Sequence, residues 1–414
     1  MMDSTSSSTV GTPSPSPALQ VLQHPVLRGW AEQIRSAAER GQPLQVRGGG
    51  SKHFLVDTAP GELLDTRAYS GIVSHEPTEL VVTARAGTPL AELEQVLAAS
   101  GQYLPFEPPH FAAPGMGSVS TVGGMVAAGL SGPARANVGA VRDFVLGAEL
   151  LNGRGEHLVF GGQVMKNVAG YDVSRLLAGS MGTLCVLTEV SLKVLPVAPA
   201  EATLRFTLGQ AEALQQMARW RALPLPLNAS CWVQDSTAPG APKHLYVRLR
   251  GAVAAVQSAS QRMLQDAPGE LLDTAATAAD WTACREQTLP FFDASQRPGL
   301  ALWRLSVAPN TPALDDVAAH DMGIPGGALG ATLVEWHGGL RWLWAPVGAG
   351  DALRAWARRA GGHATLFRCP EGVAVPAAQR YTPPEPTVLA IQQRLKQQFD
   401  PAGILNPGRW GFGL

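Results

Sequence analysis

Three glycine-rich segments in the first half of the chain constrain its fold more than any other feature of the sequence. They are Arg47-Gly48-Gly49-Gly50-Ser51, the stretch from Pro114 to Gly124, and Lys166-Asn167-Val168-Ala169-Gly170-Tyr171-Asp172 with the Gly179-Ser180-Met181-Gly182-Thr183-Leu184 that follows it. Glycine takes positive φ without steric cost and lets backbone N–H groups come close to an anion, so each segment is a candidate cradle for a phosphorylated ligand. The first is not a Walker A loop, because Ser51-Lys52 reverses the required Gly-Lys-Ser/Thr order. The second fails the G-x-G-x-x-G dinucleotide pattern, since Ser120 stands where the third glycine is needed. Taken singly, each segment reads equally well as an ordinary turn; order and spacing have to decide.

The segments lie among alternating strand and helix patterns. Leu27, Trp30 and Ile34 recur three and four apart, with Gly41 placed to end a helix, and residues 43–47 read as a strand running into the first segment. A strand over residues 80–84 precedes a helix with Thr88 at the N-cap, Pro89 at N1, Leu90, Leu93 and Leu97 on one face, and Gly101 past its end. Two apolar runs within residues 144–160, around Asn152-Gly153-Arg154-Gly155, form a hairpin pattern. Residues 186–194 read as a strand, and Pro196 and Pro199 mark a boundary after it. From about residue 200 the chain turns Ala-, Pro- and Trp-rich, with helices over 211–222 and 351–360 between short strands. A final helix starts at Pro386, places Val388, Ile391, Leu395 and Phe399 along one face, and stops at Asp400-Pro401-Ala402-Gly403.

With 414 residues, 45% of them hydrophobic and 16% charged, the chain has enough apolar material for two domains. Its 32 basic and 33 acidic residues leave a net charge of -1, which excludes a polycationic field for nucleic acid. The four cysteines make no C-x-x-C pair, so neither a zinc ribbon nor an iron-sulfur cluster is expected, and no metal; they read as buried reduced thiols. No apolar run reaches the ~20 residues of a membrane span, and the N-terminus lacks a signal-peptide pattern. A cytoplasmic chain follows, with attachment to the inner membrane through partner subunits left open. The Ser-, Thr- and Pro-rich opening reads as a disordered tail over residues 1–19.

A strand leading into Arg47-Gly48-Gly49-Gly50-Ser51, then Thr121-Val122-Gly123-Gly124-Met125-Val126-Ala127, then the Lys166 to Asp172 and Gly179 to Leu184 stretches, resembles the vanillyl-alcohol-oxidase (PCMH-type) FAD-binding family. Within it, the resemblance is greatest to the FAD-binding subunits of bacterial glycolate oxidase. Residues 399–409 resemble the family's returning C-terminal segment, with Asn406-Pro407-Gly408-Arg409 where Asn-Pro-Gly-Lys is usual. The resemblance implies an α+β fold: a two-part PCMH-type FAD-binding domain over 20–198, an α+β cap over 199–375, and a C-terminal segment, 376–414, that returns to the FAD domain. It implies FAD contacts at Arg47, Gly48, Gly49, Gly50, Ser51, Pro114, Gly115, Ser120, Thr121, Gly123, Gly124, Gly132, Gly182 and Asn406. Arg135, Asp143, Tyr171 and Asp172 stand level between cofactor contact and loop anchor. Relatives that tether FAD through histidine carry it directly after the glycine pair of the first loop; Ser51 occupies that place, so the FAD is expected to be non-covalent. His53 then reads as a loop-packing or solvent-facing residue.

In the cap, Glu335-Trp336-His337-Gly338-Gly339-Leu340-Arg341-Trp342 resembles the place where 2-hydroxy-acid dehydrogenase relatives carry His-x-Gly-Asp-Gly-Asn-x-His, but the second histidine and the acidic residue are missing. Catalytic residues therefore stay unassigned, with His337 and Arg341 as candidates and a packed core histidine as the preferred reading of His337. Arg304, Arg341, Arg368 and Arg409 are all capable of clamping a carboxylate, and no spacing singles one out. The resemblance implies oxidation of glycolate, or a similar short 2-hydroxy acid, to the 2-oxo acid, with electrons leaving through the flavin to a second flavin subunit and an iron-sulfur subunit. Two alternatives stay open: a non-catalytic subunit that only holds FAD, and a stand-alone oxidase of the same superfamily.

Overall fold

The structure is a computed structural model that describes residues 24–55, 61–111, 119–162, 172–234, 242–314 and 331–413. The expectations for the 1–19 tail, for Pro114 and Gly115, and for Lys166 to Tyr171 fall outside those residues.

The chain enters through the helix Pro25–Arg40, which buries Leu27, Trp30, Ala31, Ile34 and Ala37 and ends on Gly41 at a φ of 62°. Its apolar stripe packs on the strand Leu44–Arg47, which pairs in parallel with Glu62–Asp65. Leu405 bridges to Leu44 on the same small sheet, so the C-terminal segment is part of this layer.

Beside it lies a five-stranded antiparallel sheet in the spatial order Ile72–Glu76, Val81–Arg85, Val186–Lys193, Val145–Leu151, His157–Gly161. The helices Leu90–Ala99 and Val122–Ala128 cover one face, with Leu90, Leu93, Leu97, Val122, Met125 and Val126 in its core. The first of these begins one residue later than the sequence suggested, with Pro89 at the N-cap. The Thr88 hydroxyl has a better use: it accepts from the Gly71 N–H (2.9 Å) and donates to the Gly71 carbonyl (3.0 Å), tying the helix entry to a neighbouring loop.

The second sheet has eight antiparallel strands in the order Gly269–Leu272, Ala200–Thr207, Lys243–Gly251, Leu227–Gln234, Thr332–Glu335, Leu340–Ala345, Ala301–Ser306, His363–Arg368. Successive side chains of a strand point to opposite faces. On Ala301–Ser306 this sends Ala301, Trp303 and Leu305 against the helix Gly350–Arg359, while Leu302 and Arg304 take the other face. That other face, with Trp336, Trp342 and Phe367, meets Phe54, Leu55, Phe111, Leu130 and Met181 from the first half of the chain. The architecture is α+β, with loops of the first half of the chain packed on the eight-stranded sheet through this aromatic layer.

The final helix, Pro386–Phe399, departs from expectation. Val388 and Ile391 are about half exposed, and the residue it buries is Lys396. The ammonium of Lys396 donates to the carbonyls of Thr183 (2.7 Å) and Leu405 (2.9 Å) and to Asp400 Oδ2 (2.7 Å), so the helix docks through this charge and the Phe399 end of its stripe, while the Val388 and Ile391 end stays exposed. Removing one partner of a buried ion pair leaves the other unpaired, at a cost of about 3–5 kcal/mol. Lys396→Met is expected to destabilise the chain by that order in urea denaturation; a loss below about 1 kcal/mol would show that the pair does not hold the segment in place.

Candidate functional site

The glycine segments are brought together by contacts that only glycine permits. A β-carbon on Gly49 would lie 1.4 Å from the Val119 carbonyl oxygen, and one on Gly48 would lie 2.4 Å from Thr121 Oγ1, so the first and second segments touch backbone to backbone. Thr121 caps the helix Val122–Ala128 by accepting the Gly124 N–H (3.2 Å), and Gly123 donates to the Ala86 carbonyl (2.8 Å). In the third segment Met181 and Gly182 both take positive φ, 54° and 70°. Between the three lies an open cleft, whose walls include Arg47 to His53, Ser120, Thr121, Gly123, Gly124, Ser180 to Gly182 and Arg409. The N–H groups of Gly49, Gly50 and Ser51 have no acceptor among the described residues, and consecutive free N–H groups form a concave anion site.

Two cations in the wall were not assigned to the cofactor from sequence. Lys52 donates to Ser120 Oγ (2.9 Å), Ser51 Oγ (3.1 Å) and the His110 carbonyl (3.3 Å); burial pushes its ammonium down to about 8, against the pull of Glu286. Its one sequence signal was adjacency to Ser51. Arg409 donates to the Met181 (3.1 Å) and Val46 (3.4 Å) carbonyls, and burial followed by the charge of Arg47 holds it down at about 10. His53 also lines the cleft, half-buried, with its pKa lowered by burial and by Arg409 and Arg47, so it faces the cleft and not solvent.

Several other candidates stand outside the cleft wall. Asn406 is wholly buried and engaged by the backbone of Val46 and Met181, so it braces two segments from behind. Gly132 donates to the Phe106 carbonyl (2.9 Å) and its own carbonyl accepts from Trp336 Nε1 (3.0 Å), against a separate small cavity. Asp143 accepts the Ala140 N–H (2.7 Å) to close a turn, and Asp172 caps the short helix Val173–Leu176; both are loop anchors. Neither cap candidate lines a large cleft. His337 is buried with Nδ1 on Ser230 Oγ (2.9 Å) and Nε2 on Asn137 Nδ2 (2.5 Å), and burial pushes its pKa down to about 4. Arg341 has no exposure and donates to the carbonyls of Gly338, Thr311 and Pro312. Both are satisfied structural residues.

A second, larger cleft of about 500 Å³ adjoins the first, sharing Ala128, Ser180 and Met181 with it. Arg135 enters it from the first half of the chain, and Arg304, His363, Thr365 and Phe367 from the eight-stranded sheet. Both guanidinium groups stand over the Trp336 ring, at 4.6 Å for Arg135 and 5.1 Å for Arg304. Burial, then the charge of Arg135, lowers Arg304 to about 10. Nearby, buried Glu335 accepts from Trp342 Nε1 (2.7 Å) and Cys284 Sγ (3.4 Å), and desolvation raises it to about 7.

Residues 30–161, which carry the first two segments, match a family model described as an FAD binding domain. The chain is 42% identical over 379 residues to glycolate oxidase subunit GlcE of Escherichia coli, an alignment that covers 91% of this chain and 95% of that one. It belongs to the GlcE family of glycolate oxidase subunits. Glycolate oxidase subunit GlcD of Bacillus subtilis is 29% identical over 170 residues, covering 40% of this chain and 35% of its own length. The solved structure of p-cresol methylhydroxylase with substrate bound superposes with a TM-score of 0.66, covering 93% of this chain and 87% of that one at 14% identity, which establishes the PCMH-type fold. In this GlcE-family chain the cleft fits FAD by its free N–H groups and its three cations Arg47, Lys52 and Arg409.

Gly49→Ala is expected to abolish FAD retention, because its methyl group would force the first two segments apart; flavin absorbance per chain after gel filtration measures this, and unchanged occupancy would count against the cradle. Glu335 gives a pH test. Its folded value of about 7 lies above the ordinary 4.5, so the folded chain holds an extra proton between those values and loses stability as pH rises through that window. Urea denaturation of wild type and Glu335→Gln at pH 5 and pH 8 should show the difference shifting in favour of the variant at the higher pH; parallel pH dependence would refute the raised value.

Proposed function

We propose that this chain is the FAD-binding subunit of a complex that oxidises glycolate, or a similar short 2-hydroxy acid, to the 2-oxo acid and passes electrons to a second flavin subunit and an iron-sulfur subunit. The observation that carries the reading is identity to a glycolate oxidase subunit over nearly the full length of both chains. The free N–H groups of Gly49, Gly50 and Ser51, with Arg47, Lys52 and Arg409, would hold the FAD pyrophosphate. Ser120, Thr121, Gly123, Gly124 and Gly182 would line the rest of the cofactor, and Ser51 at the tethering position makes the binding non-covalent. When bound, FAD supplies the acceptor for a hydride from the α-carbon of the acid. Phe367 and Met181 narrow the adjoining cleft with apolar surface and reduce water at the reacting carbon.

The same reading divides the chain into an FAD domain over 20–198, a cap over 199–375 and a returning segment from 376. It keeps the chain in the cytoplasm, reaching the inner membrane only through partners; no helix among the described residues is long and apolar enough to cross a membrane. A second reading, an FAD-holding subunit without chemistry of its own, is favoured by the saturation of His337 by Ser230 and Asn137.

The absorption spectrum of the purified chain, taken before and after acid precipitation, tests the cofactor. A yellow supernatant is expected. Anaerobic glycolate added to the assembled complex should then bleach the flavin, and a complex containing this chain bleaches less if Gly49→Ala removes its share. No flavin, even after reconstitution with FAD, would overturn the reading.

A further inference from the structure

Arg304 is the anomaly of the eight-stranded sheet. The strand alternation that buries Ala301, Trp303 and Leu305 under a helix turns Arg304 toward the aromatic layer, where an unpaired cation costs several kcal/mol. The buried arginines that brace the scaffold donate to oxygen. Arg341 donates to three carbonyls, Arg248 to Asn228 and Glu107, and Arg380 to the carbonyls of Val375 and Phe54. The guanidinium of Arg304 makes no hydrogen bond or ion pair among the described residues, and neither does that of Arg135.

These two exceptions come from different parts of the fold and meet. Arg135 heads the short helix Arg135–Val138 on the FAD-domain side, Arg304 sits on the sheet, and both stack on Trp336 and line the same cleft. Arg304 lies in the electrostatic field of Arg135, and His363 in the field of both, while Arg135 also feels Arg142 and Asp143, whose carboxylate is held by the Ala140 N–H. The nearest acid on the sheet, Glu335, is held by Trp342 and Cys284. Two like charges with free donors, brought into one cleft with no carboxylate between them, form a site that lacks its anion. Guanidinium donors match a carboxylate in plane and spacing.

We propose that Arg135 and Arg304 form a carboxylate-binding subsite, in the cleft beside the FAD cradle, for a small monocarboxylic acid that carries its reacting carbon next to the carboxylate. This rests on the proposed function for the identity of the acid, and it places substrate binding on this subunit although the histidine-rich motif of the dehydrogenase relatives is missing. The shared wall of Ala128, Ser180 and Met181 puts the subsite next to the cofactor cleft. Trp336 holds both guanidinium planes, so the clamp is organised before the acid arrives.

The test is calorimetric titration of the FAD-loaded chain with oxalate, a two-carbon dicarboxylate with its second carboxylate in place of the acid's reacting carbon, which the flavin does not oxidise, at fixed ionic strength. Wild type is expected to bind it, and Arg304→Gln and Arg135→Gln each to weaken binding at least tenfold with FAD content and Tm retained. If Arg304→Gln does not fold, Arg135→Gln, at a half-buried turn, decides alone. Unchanged affinity in the folded variants, or no oxalate binding by an FAD-loaded wild-type chain, overturns the subsite. Glycolate turnover by the assembled complex is measured in parallel. Turnover without oxalate binding here would remove the subsite and leave the proposed function standing, whereas arginine-dependent oxalate binding without glycolate turnover would keep the subsite and remove the choice of substrate.

Discussion

The side-chain amide of Asn406 accepts the Val46 N–H (2.8 Å) and donates to the carbonyls of Val46 (3.2 Å) and Met181 (3.0 Å), joining residues that are 360 and 225 positions away in sequence. Val46 precedes the first glycine segment and Met181 lies within the third, so one buried amide sets their separation. An unanswered amide at that depth would leave polar groups unpaired, which fixes its position firmly. Around it the Lys396–Asp400 pair and the Leu44–Leu405 bridge hold the same segment, and Gly182 accommodates the amide where a β-carbon would sit 2.7 Å from its nitrogen.

The near-zero net charge of the chain conceals a separation of charge at the clefts. Arg47, Lys52 and Arg409 surround the first, and Arg135 and Arg304 face the second. The acids nearby are committed elsewhere: Glu286 accepts the N–H groups of His110 (3.0 Å) and Phe111 (2.8 Å), and Glu335 is engaged by Trp342 and Cys284. Arg47, Arg135 and Arg304 thereby face the clefts without a carboxylate partner among the described residues, while Lys52 and Arg409 are steadied by neutral oxygens. That arrangement suits a cofactor and a substrate that are both anions.

Much of this was legible in the sequence. The helix Pro25–Arg40 and the hairpin of Val145–Leu151 with His157–Gly161 followed from period and turn chemistry, which are local. The cradle followed from glycines whose requirement is steric and shows in the letter itself. Lys52 was passed over because a lysine after a serine has no distinguishing pattern; only the fold reveals that it is buried against Ser120. Gly132 and Asp143 sit close in sequence to glycine turns, yet one packs against Phe106 and the other closes its own turn. The stripe of Val388 and Ile391 promised a buried helix face, but a charged anchor five to eight residues further on holds the helix in place. The pairing of Arg135 with Arg304 depends on how a short helix of the first half meets the eight-stranded sheet, and no spacing within one strand encodes that.

The contact between the first glycine strand and the segment around Leu405 also has a bearing on how the protein is made. During synthesis the chain emerges in order, and long-range pairings must wait for their second partner. A nascent chain that has reached residue 380 already contains all three glycine segments, yet it lacks the amide, the ammonium and the bridging strand residue that set their spacing. Setting the spacing of the cradle therefore waits for residues 396–406, and a chain cut before them would carry every ligand-facing glycine without the contacts that fix their separation.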